Sequence, residues 1–176
     1  MGLLLVAWAA GRWFGILPLD RLHATPFTFG VGIVAAVPLL LGLRWILTTG
    51  VNSMQRLVGL VVDQLGPLLA PRSPLELVLL AALAGFAEET LFRGVLQAGL
   101  ARAMPESVAL VVASAAFGLA HFITPAYALL AGLAGLYLGG LFLLQGSLTA
   151  PIVAHAVYDI VALNYVVRLY RDQNGQ

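Results

Sequence analysis

Long apolar runs dominate the chain and are separated by short polar or proline-containing stretches. Six runs are candidates to cross a bilayer as a helix, which takes roughly 20 residues; they cover residues 2–17, 27–47, 73–103, 106–122, 126–144 and 148–167. The third run is longer than one bilayer core, so its helix must tilt, bend or protrude. The stretch 50–70 differs, because polar residues alternate with apolar ones at helical spacing. That spacing is typical of an amphipathic helix at the membrane interface, and a partly buried connector also fits it. The pattern predicts an all-α fold: a polytopic membrane helix bundle with about six transmembrane helices and one interfacial amphipathic helix.

Proline and capping residues set the predicted helix boundaries. Thr25 precedes Pro26, an N-cap followed by proline in the first turn. Ser73-Pro74-Leu75-Glu76 has the S-x-x-E spacing of a capping box. We expect Gly66-Pro67 and Pro71 to break the amphipathic helix, and residues 168–176 to form a polar tail.

Composition supports a membrane location. The 176 residues are 61% hydrophobic and only 10% charged, whereas soluble domains carry about 25% charged residues. The net charge of +1 gives no indication of nucleic-acid binding, and the sequence contains no cysteine for a disulfide, a thiol nucleophile or a thiolate metal site. The N-terminus does not read as a signal peptide, since a basic n-region is missing. In a six-span topology, one side collects more arginines and is the predicted cytoplasmic side with both termini: Arg44, Arg56, Arg72, Arg168 and Arg171, against Arg12, Arg21 and Arg102.

Ionisable side chains in the middle of the last four spans carry the candidate chemistry. They are Glu88, Glu89, Arg93, His121, His155 and Asp159. Three carboxylates and one guanidinium exposed to lipid would cost roughly 10–14 kcal/mol, at about 2.5–3.5 kcal/mol each. We therefore expect these groups to face inward, pair with one another or line a wet cavity.

Helical spacing separates the two adjacent glutamates. Glu89 and Arg93 are four residues apart and can pair, while Glu88 points about 100° away around the helix. His155 and Asp159 share one face of the last span. With neutral histidines the cluster carries a charge of about −2, which protons or a divalent cation such as Zn²⁺ would offset. A desolvated Glu88 could also act without metal, as general base on a water molecule.

Three motifs in order resemble the CAAX-protease and bacteriocin-processing (CPBP) intramembrane proteases, also called the Abi or Rce1-type family. The first is E-E-x-x-x-R, the second F-x-x-x-H and the third H-x-x-x-N or H-x-x-x-D; they correspond to residues 88–93, 117–121 and 155–159. The resemblance covers about residues 73–167. It divides the chain into N-terminal spans with the interfacial helix at 1–72, a catalytic four-helix core at 73–167 and the tail at 168–176.

The resemblance implies a membrane-embedded endopeptidase and assigns roles to these residues. Glu88 would activate the attacking water with help from His121. His155 and Asp159 would stabilise the oxyanion or bind a metal, for which all four side chains are candidates. The supporting residues would be Glu89, Arg93 and Phe117.

One position departs from part of the family. Asp159 stands where the eukaryotic CAAX-processing branch has Asn. A carboxylate is a better metal ligand and a poorer hydrogen-bond donor, so Asp159 favours a metal or a protonated Asp, and it puts a CAAX substrate in doubt. The family is often labelled metalloprotease, and a metal-free glutamate mechanism has also been argued for it. The sequence contains no H-E-x-x-H motif, which excludes a zincin mechanism.

The sequence thus predicts a protease in a bacterial or archaeal cell membrane, acting on peptides or proteins within or near the bilayer. Two alternatives stay open. The same carboxylates and histidines could form the relay of a proton- or metal-ion-coupled carrier, or the chain could be a non-catalytic membrane protein such as a bacteriocin immunity protein.

Overall fold

The computed structural model describes residues 2–175, and all regular elements in that range are helices. The helices are α1 (Gly2–Phe14), α2 (Pro26–Thr48), α3 (Asn52–Leu69), α4 (Pro74–Glu89), a π-helix that we call π1 (Thr90–Gln97), α5 (Ala98–Leu100), α6 (Glu106–Ala120), α7 (Pro125–Gln145) and α8 (Thr149–Gln173). The predicted all-α fold is confirmed.

Three helices are long and apolar enough to cross a membrane by length and composition: α2, α7 and α8. Two more apolar helices, α1 and α6, are shorter. Large apolar side chains point outward from the bundle, as on α2, where Phe27 is 72% exposed and Val34 is 70% exposed. A surface of this kind suits lipid as its solvent. The chain is thus an integral membrane protein, and six spans with both termini on one side stays a prediction.

Local capping signals fixed the helix starts as predicted. The Thr25 hydroxyl accepts from the Thr28 amide, and the Thr28 hydroxyl lies 3.0 Å from the Thr25 amide that donates to it. At α4 the Ser73 amide donates to Glu76 Oε2 over 2.7 Å, and the Glu76 amide donates back to the Ser73 hydroxyl. Both are capping boxes, whose partners lie three residues apart and need no tertiary contact.

Two predicted helix ends were wrong, and one contact explains both. Helix α3 continues through Gly66-Pro67 to Leu69, and α8 continues to Gln173 rather than ending at Val167. The ring of Tyr170 lies against Gly66, at the place that a side chain on residue 66 would fill. Packing between α3 and the end of α8 therefore offsets the loss of the helix hydrogen bond that Pro67 cannot donate.

The long helix predicted over 73–103 is not uniform. It is α-helical up to Glu89, π-helical over Thr90–Gln97, and α-helical again for three residues. Gly94 lies at the point of closest approach to the N-terminal segment, since an added Cβ would stand 2.7 Å from the carbonyl oxygen of Pro18. π-Helical turns are rare and often occur at functional sites.

Helix α8 lies at the centre of the bundle and contacts α2, α3, α4 and α7. One apolar cluster joins α2, α7 and α8 through Ala35, Ala36, Leu138 and Ala154, and a second joins α3, α4 and α8 through Leu69, Leu77 and Val167. The small residues of the first cluster let these helices approach closely.

Helix α1 packs against π1 and α4. Its C-terminus is closed by Gly15, which has a φ of 64° and follows a Schellman pattern with Ile16 N donating to Gly11 O. Arg102 Nη1 donates to Phe14 O over 2.8 Å, and the Leu148 amide donates to Arg21 O. Residues 2–25 thus brace the α4–π1–α5 segment, which carries Glu88 and Glu89.

Candidate functional site

Glu89 is the most enclosed carboxylate of the cluster, with its side chain 0% exposed. Its Oε1 accepts from Arg93 Nη1 at 3.0 Å and from His155 Nδ1 at 2.8 Å. The predicted pair with Arg93 therefore forms, and the same oxygen also holds a histidine from another helix. One carboxylate thus connects the E-E-x-x-x-R motif of residues 88–93 to the last motif.

Two side chains of π1 bind the backbone of α7 in parallel register. Arg93 Nη2 donates to Gly135 O at 2.9 Å, and Gln97 Nε2 donates to Gly139 O at 3.2 Å. Donors and acceptors are each four residues apart. Because Gly135 and Gly139 have no side chains, their carbonyls are open to these donors. The contacts fix the position of π1, and with it Glu89, against α7.

Glu88 faces the other way, as its position one residue before Glu89 predicts. Its Oε2 lies 3.4 Å from His121 Nε2 and 3.9 Å from His155 Nε2. Asp159 Oδ2 lies 3.5 Å from His155 Nε2. The four side chains with predicted catalytic roles therefore meet at one place, and two helices together with the residue that ends α6 supply the cluster.

Hydrogen bonds on the far side of each imidazole fix its tautomer. His121 Nδ1 lies 2.9 Å from Phe117 O, and His155 Nδ1 lies 2.8 Å from Glu89 Oε1. Both partners only accept, so each Nδ1 carries the proton and each neutral ring presents a lone pair on Nε2.

Four acceptors therefore face one another: two Nε2 atoms, Glu88 Oε2 and Asp159 Oδ2. Among residues 2–175, Glu88 Oε2 is buried without a hydrogen-bond partner, which agrees with a lone pair on His121 Nε2. Such a group requires positive charge between its members. Protons, a polarised water or a cation can supply that charge.

Phe117 lies at the back of the site and is 3% exposed. Its ring centroid is 4.4 Å from that of His121 and 5.9 Å from that of His155. The guanidinium carbon of Arg93 lies 4.6 Å from the same centroid, a cation–π distance. This one ring therefore contacts the Arg93 guanidinium and both imidazoles and supports all three.

An apolar cavity of about 470 Å³ leads to the cluster. Helices α2, α3, α7 and α8 form most of its wall, with side chains such as Leu43, Leu57, Leu130, Leu163 and Val166. Glu88, His121, His155 and Asp159 are the charged or imidazole side chains in its lining. An apolar chain with a hydrolysable group at one end fits this shape.

The donor set, neutral imidazole and carboxylate, is of the kind that zinc binds. The orphaned Glu88 Oε2 is also consistent with a cation. As the side chains stand, however, no group of three or more His, Asp and Glu within residues 2–175 forms a metal-binding set. A metal therefore stays a prediction.

Sequence reasoning singled out Glu88, Glu89, Arg93, Phe117, His121, His155 and Asp159, and the structure brings all seven together. The bond between Glu89 and His155 was not predictable from the sequence, because two residues 66 positions apart have no spacing that indicates contact. The sequence also contained no signal for Tyr127, which lines the cavity from the first turn of α7.

The fold and the site together define a helical membrane protein with a buried carboxylate–imidazole cluster at the end of an apolar cavity. Residues 70–161, more than half of the chain, match the model of the Rce1-like family, described as type II CAAX prenyl endopeptidase Rce1-like. The chain belongs to this family, and is thus a membrane protease. Comparisons with curated proteins and with solved structures give no match for the chain.

Proposed function

We propose that the protein is an intramembrane endopeptidase that hydrolyses peptide bonds with a water activated by Glu88. The observation that carries the proposal is the position of Glu88 Oε2, which is buried at the end of the apolar cavity, 3.4 Å from His121 Nε2. A water at this place donates one proton to each acceptor, and its oxygen is left free to attack a carbonyl carbon.

The carboxylate of Glu88 carries out both proton transfers that accompany bond making and bond breaking. Glu88 takes a proton from the water as the new C–O bond forms. The protonated Glu88 returns this proton to the amide nitrogen as the C–N bond breaks. The products are a carboxylic acid and an amine, and the acid then passes the second water proton to the amine to give a carboxylate and an ammonium. Glu89 is not placed to replace Glu88, because its side chain is 0% exposed and does not line the cavity.

His155 and Asp159 hold a second proton. With a proton shared between His155 Nε2 and Asp159 Oδ2, 3.5 Å apart, the imidazolium offers a positive charge next to the reacting carbonyl. The Arg93–Glu89 pair holds the ring from behind. Preorganised charges of this kind often make the greatest single contribution to the rate of acyl transfer.

The substrate that this cavity favours is a peptide with an apolar chain. The charged and imidazole groups of the lining cluster around Glu88, and the rest of its wall is largely apolar. The prenyl group on the cysteine of a C-a-a-X peptide is one such chain; the apolar side chains of a transmembrane segment are another.

A divalent cation is the alternative way to balance the four acceptors. Glu88, His121, His155 and Asp159 would hold it, and it would polarise the attacking water. Metal analysis of the purified protein distinguishes the two forms of the mechanism. Under the proton-balanced form, dialysis against EDTA leaves cleavage unchanged; loss of cleavage that stoichiometric Zn²⁺ restores would establish the metal.

The decisive experiment compares Glu88→Gln with wild type in proteoliposomes. The probes are a farnesylated C-a-a-X peptide and a library of apolar peptides, with products read by mass spectrometry. We expect Glu88→Gln to lose at least about 10³-fold in rate, because the amide cannot take the proton from water. Glu106→Gln is the matched control, since Glu106 is exposed at the start of α6, away from the cavity.

Turnover by Glu88→Gln at the wild-type rate would contradict the proposal. Proton or metal-ion flux across the same vesicles, without cleavage of any probe, would instead establish a carrier. If the wild type neither cleaves a probe nor conducts ions, the proposed activity fails and a non-catalytic membrane protein is the remaining interpretation.

A further inference from the structure

The proposed reaction needs a hydrogen-bond donor at the substrate carbonyl oxygen. The neutral imidazoles and ionised carboxylates of the motifs supply none, and the proton that His155 Nε2 and Asp159 Oδ2 share lies between those two atoms, 3.5 Å apart. When water adds to the carbonyl, negative charge develops on the carbonyl oxygen and requires a donor. Both neutral imidazoles present lone pairs to the cavity, because each Nδ1 proton is used at Phe117 O or Glu89 Oε1. Asp159 and Glu88 in their ionised forms only accept.

The other side chains in the cavity wall that carry a dissociable proton are four tyrosines: Tyr127, Tyr137, Tyr158 and Tyr165. A free phenol has a pKa of about 10, so it keeps its proton and stays neutral throughout the physiological range. Such a group donates without depending on how the histidines and carboxylates share their protons.

Two of the four are unsuited to the reacting carbonyl. Tyr137 donates its hydroxyl proton to Ala35 O at 2.8 Å and is thereby committed to α2. Tyr165 is 43% exposed and lies six residues beyond Asp159, about 9 Å further along α8. Within the described residues 2–175, the hydroxyls of Tyr127 and Tyr158 have no hydrogen-bond partner among the side-chain bonds of the protein.

Tyr127 is the better placed of the remaining two. It follows His121 closely, in the first turn of α7, where its amide donates to the Thr124 hydroxyl at 3.1 Å and fixes the start of the helix. Its side chain lines the same cavity as Glu88, His121 and Asp159. By contrast, Tyr158 is adjacent to Asp159 on α8 and so points about 100° away from it around the helix.

We propose that Tyr127 is a further catalytic residue, whose phenol donates a hydrogen bond to the substrate carbonyl oxygen as it becomes an oxyanion. This role rests on the proposed endopeptidase function. It gives a site rich in acceptors a neutral donor that carries its own proton. No bond is made or broken at Tyr127, and the proton stays on the phenol throughout.

The test removes only the hydroxyl. Tyr127→Phe is compared with Tyr158→Phe, which deletes the same atom elsewhere in the cavity wall, and with the control Tyr170→Phe, which deletes it outside the cavity lining. The substrate is whichever probe peptide the wild type cleaves. We expect Tyr127→Phe to lower kcat by about 10²–10³-fold, the effect of losing one oxyanion donor, with KM within about threefold. We expect the control Tyr170→Phe to stay within about threefold of wild type in kcat, and Tyr158→Phe to lose less than Tyr127→Phe.

A second measurement separates this role from a structural one. In a peptide analogue the scissile amide group is replaced by an aldehyde, whose hydrate resembles the tetrahedral intermediate. Tyr127→Phe is expected to bind this aldehyde at least about tenfold more weakly and the parent peptide with unchanged affinity. If the Tyr127 ring only packs against the cavity wall, Tyr127→Phe should leave both affinities unchanged.

The outcomes distinguish the two proposals. If the wild type cleaves and Glu88→Gln does not, but Tyr127→Phe keeps kcat and aldehyde affinity within threefold, the Tyr127 role is overturned and the protease proposal stands. If Glu88→Gln cleaves normally, the mechanism that assigns Tyr127 its role is overturned as well. A kcat loss in Tyr158→Phe instead of Tyr127→Phe would move the role to α8 and refute the assignment to Tyr127.

Discussion

Removing the charge of Glu89 should destabilise the protein much more than removing a charge from an outwardly similar pair on its surface. Glu89 and Arg93 are four residues apart and are 0% and 1% exposed. Arg168 and Asp172 have the same spacing but are 76% and 67% exposed. Glu89→Gln and Asp172→Asn each delete one negative charge with almost no change in shape.

The magnitudes follow from burial. In Glu89→Gln, the guanidinium of Arg93 stays buried and loses its negatively charged partner, while its contacts with Gly135 O and the face of Phe117 carry no counter-charge. Breaking a buried pair in this way costs about 3–5 kcal/mol. Exposed pairs contribute about 0–1 kcal/mol, so Asp172→Asn should change the free energy of unfolding by less than about 1 kcal/mol.

The assay is reversible unfolding in mixed micelles, titrated with a denaturing detergent and followed by tryptophan fluorescence. A double variant, Glu89→Gln with Arg93→Met, removes both charges. We expect it to recover at least about 2 kcal/mol relative to Glu89→Gln, since removal of a whole buried pair is often close to neutral.

Two results would refute this reasoning. One is a loss below about 1 kcal/mol in Glu89→Gln, which would mean that the pair is hydrated or that Arg93 finds another counter-charge. The other is a double variant that is no more stable than Glu89→Gln. In that case the loss would come from the His155 contact with Glu89 rather than from the unpaired guanidinium.

Two further predictions concern packing and capping. Gly118→Ala should destabilise the folded protein by about 1–3 kcal/mol and lower its activity, because the added Cβ would meet the backbone of α7 at Ala128 O. Gly140→Ala is the control, since an added Cβ there meets no atom within 4 Å. Equal effects in the two variants would contradict the close crossing of α6 and α7. Ser73→Ala should cost about 1 kcal/mol by removing one half of the capping box with Glu76, measured as a shift in Tm without loss of kcat; an unchanged Tm would show that this helix start does not depend on its cap.

Much of the fold could be predicted from the sequence because its causes are local. The starts of α2 and α4 depend on Thr25 and Ser73, whose partners lie three residues away. The pairing of Glu89 with Arg93 depends on a spacing of four within one helix. The membrane location follows from composition, since 10% charged residues cannot cover the surface of a soluble domain.

The cost of burying charge also limited where the site could be. Carboxylates and imidazoles in the middle of apolar helices must face inward, so their convergence was predictable although their contacts were not. The family motifs sharpened this expectation by naming the same residues. The resemblance to the Rce1-type family is confirmed by the match over residues 70–161.

Tertiary structure alone decided the rest. Three features depend on contacts between residues far apart in the chain, which no local pattern encodes: the π-helical turn packed around Gly94 and Pro18, the bond from His155 to Glu89, and the continuation of α8 to Gln173 over α3. The sequence by itself determined which groups are too costly to leave in lipid. The packing of α7 and α8 against α4 and π1 determined which oxygen each imidazole binds, and so which lone pairs face the cavity.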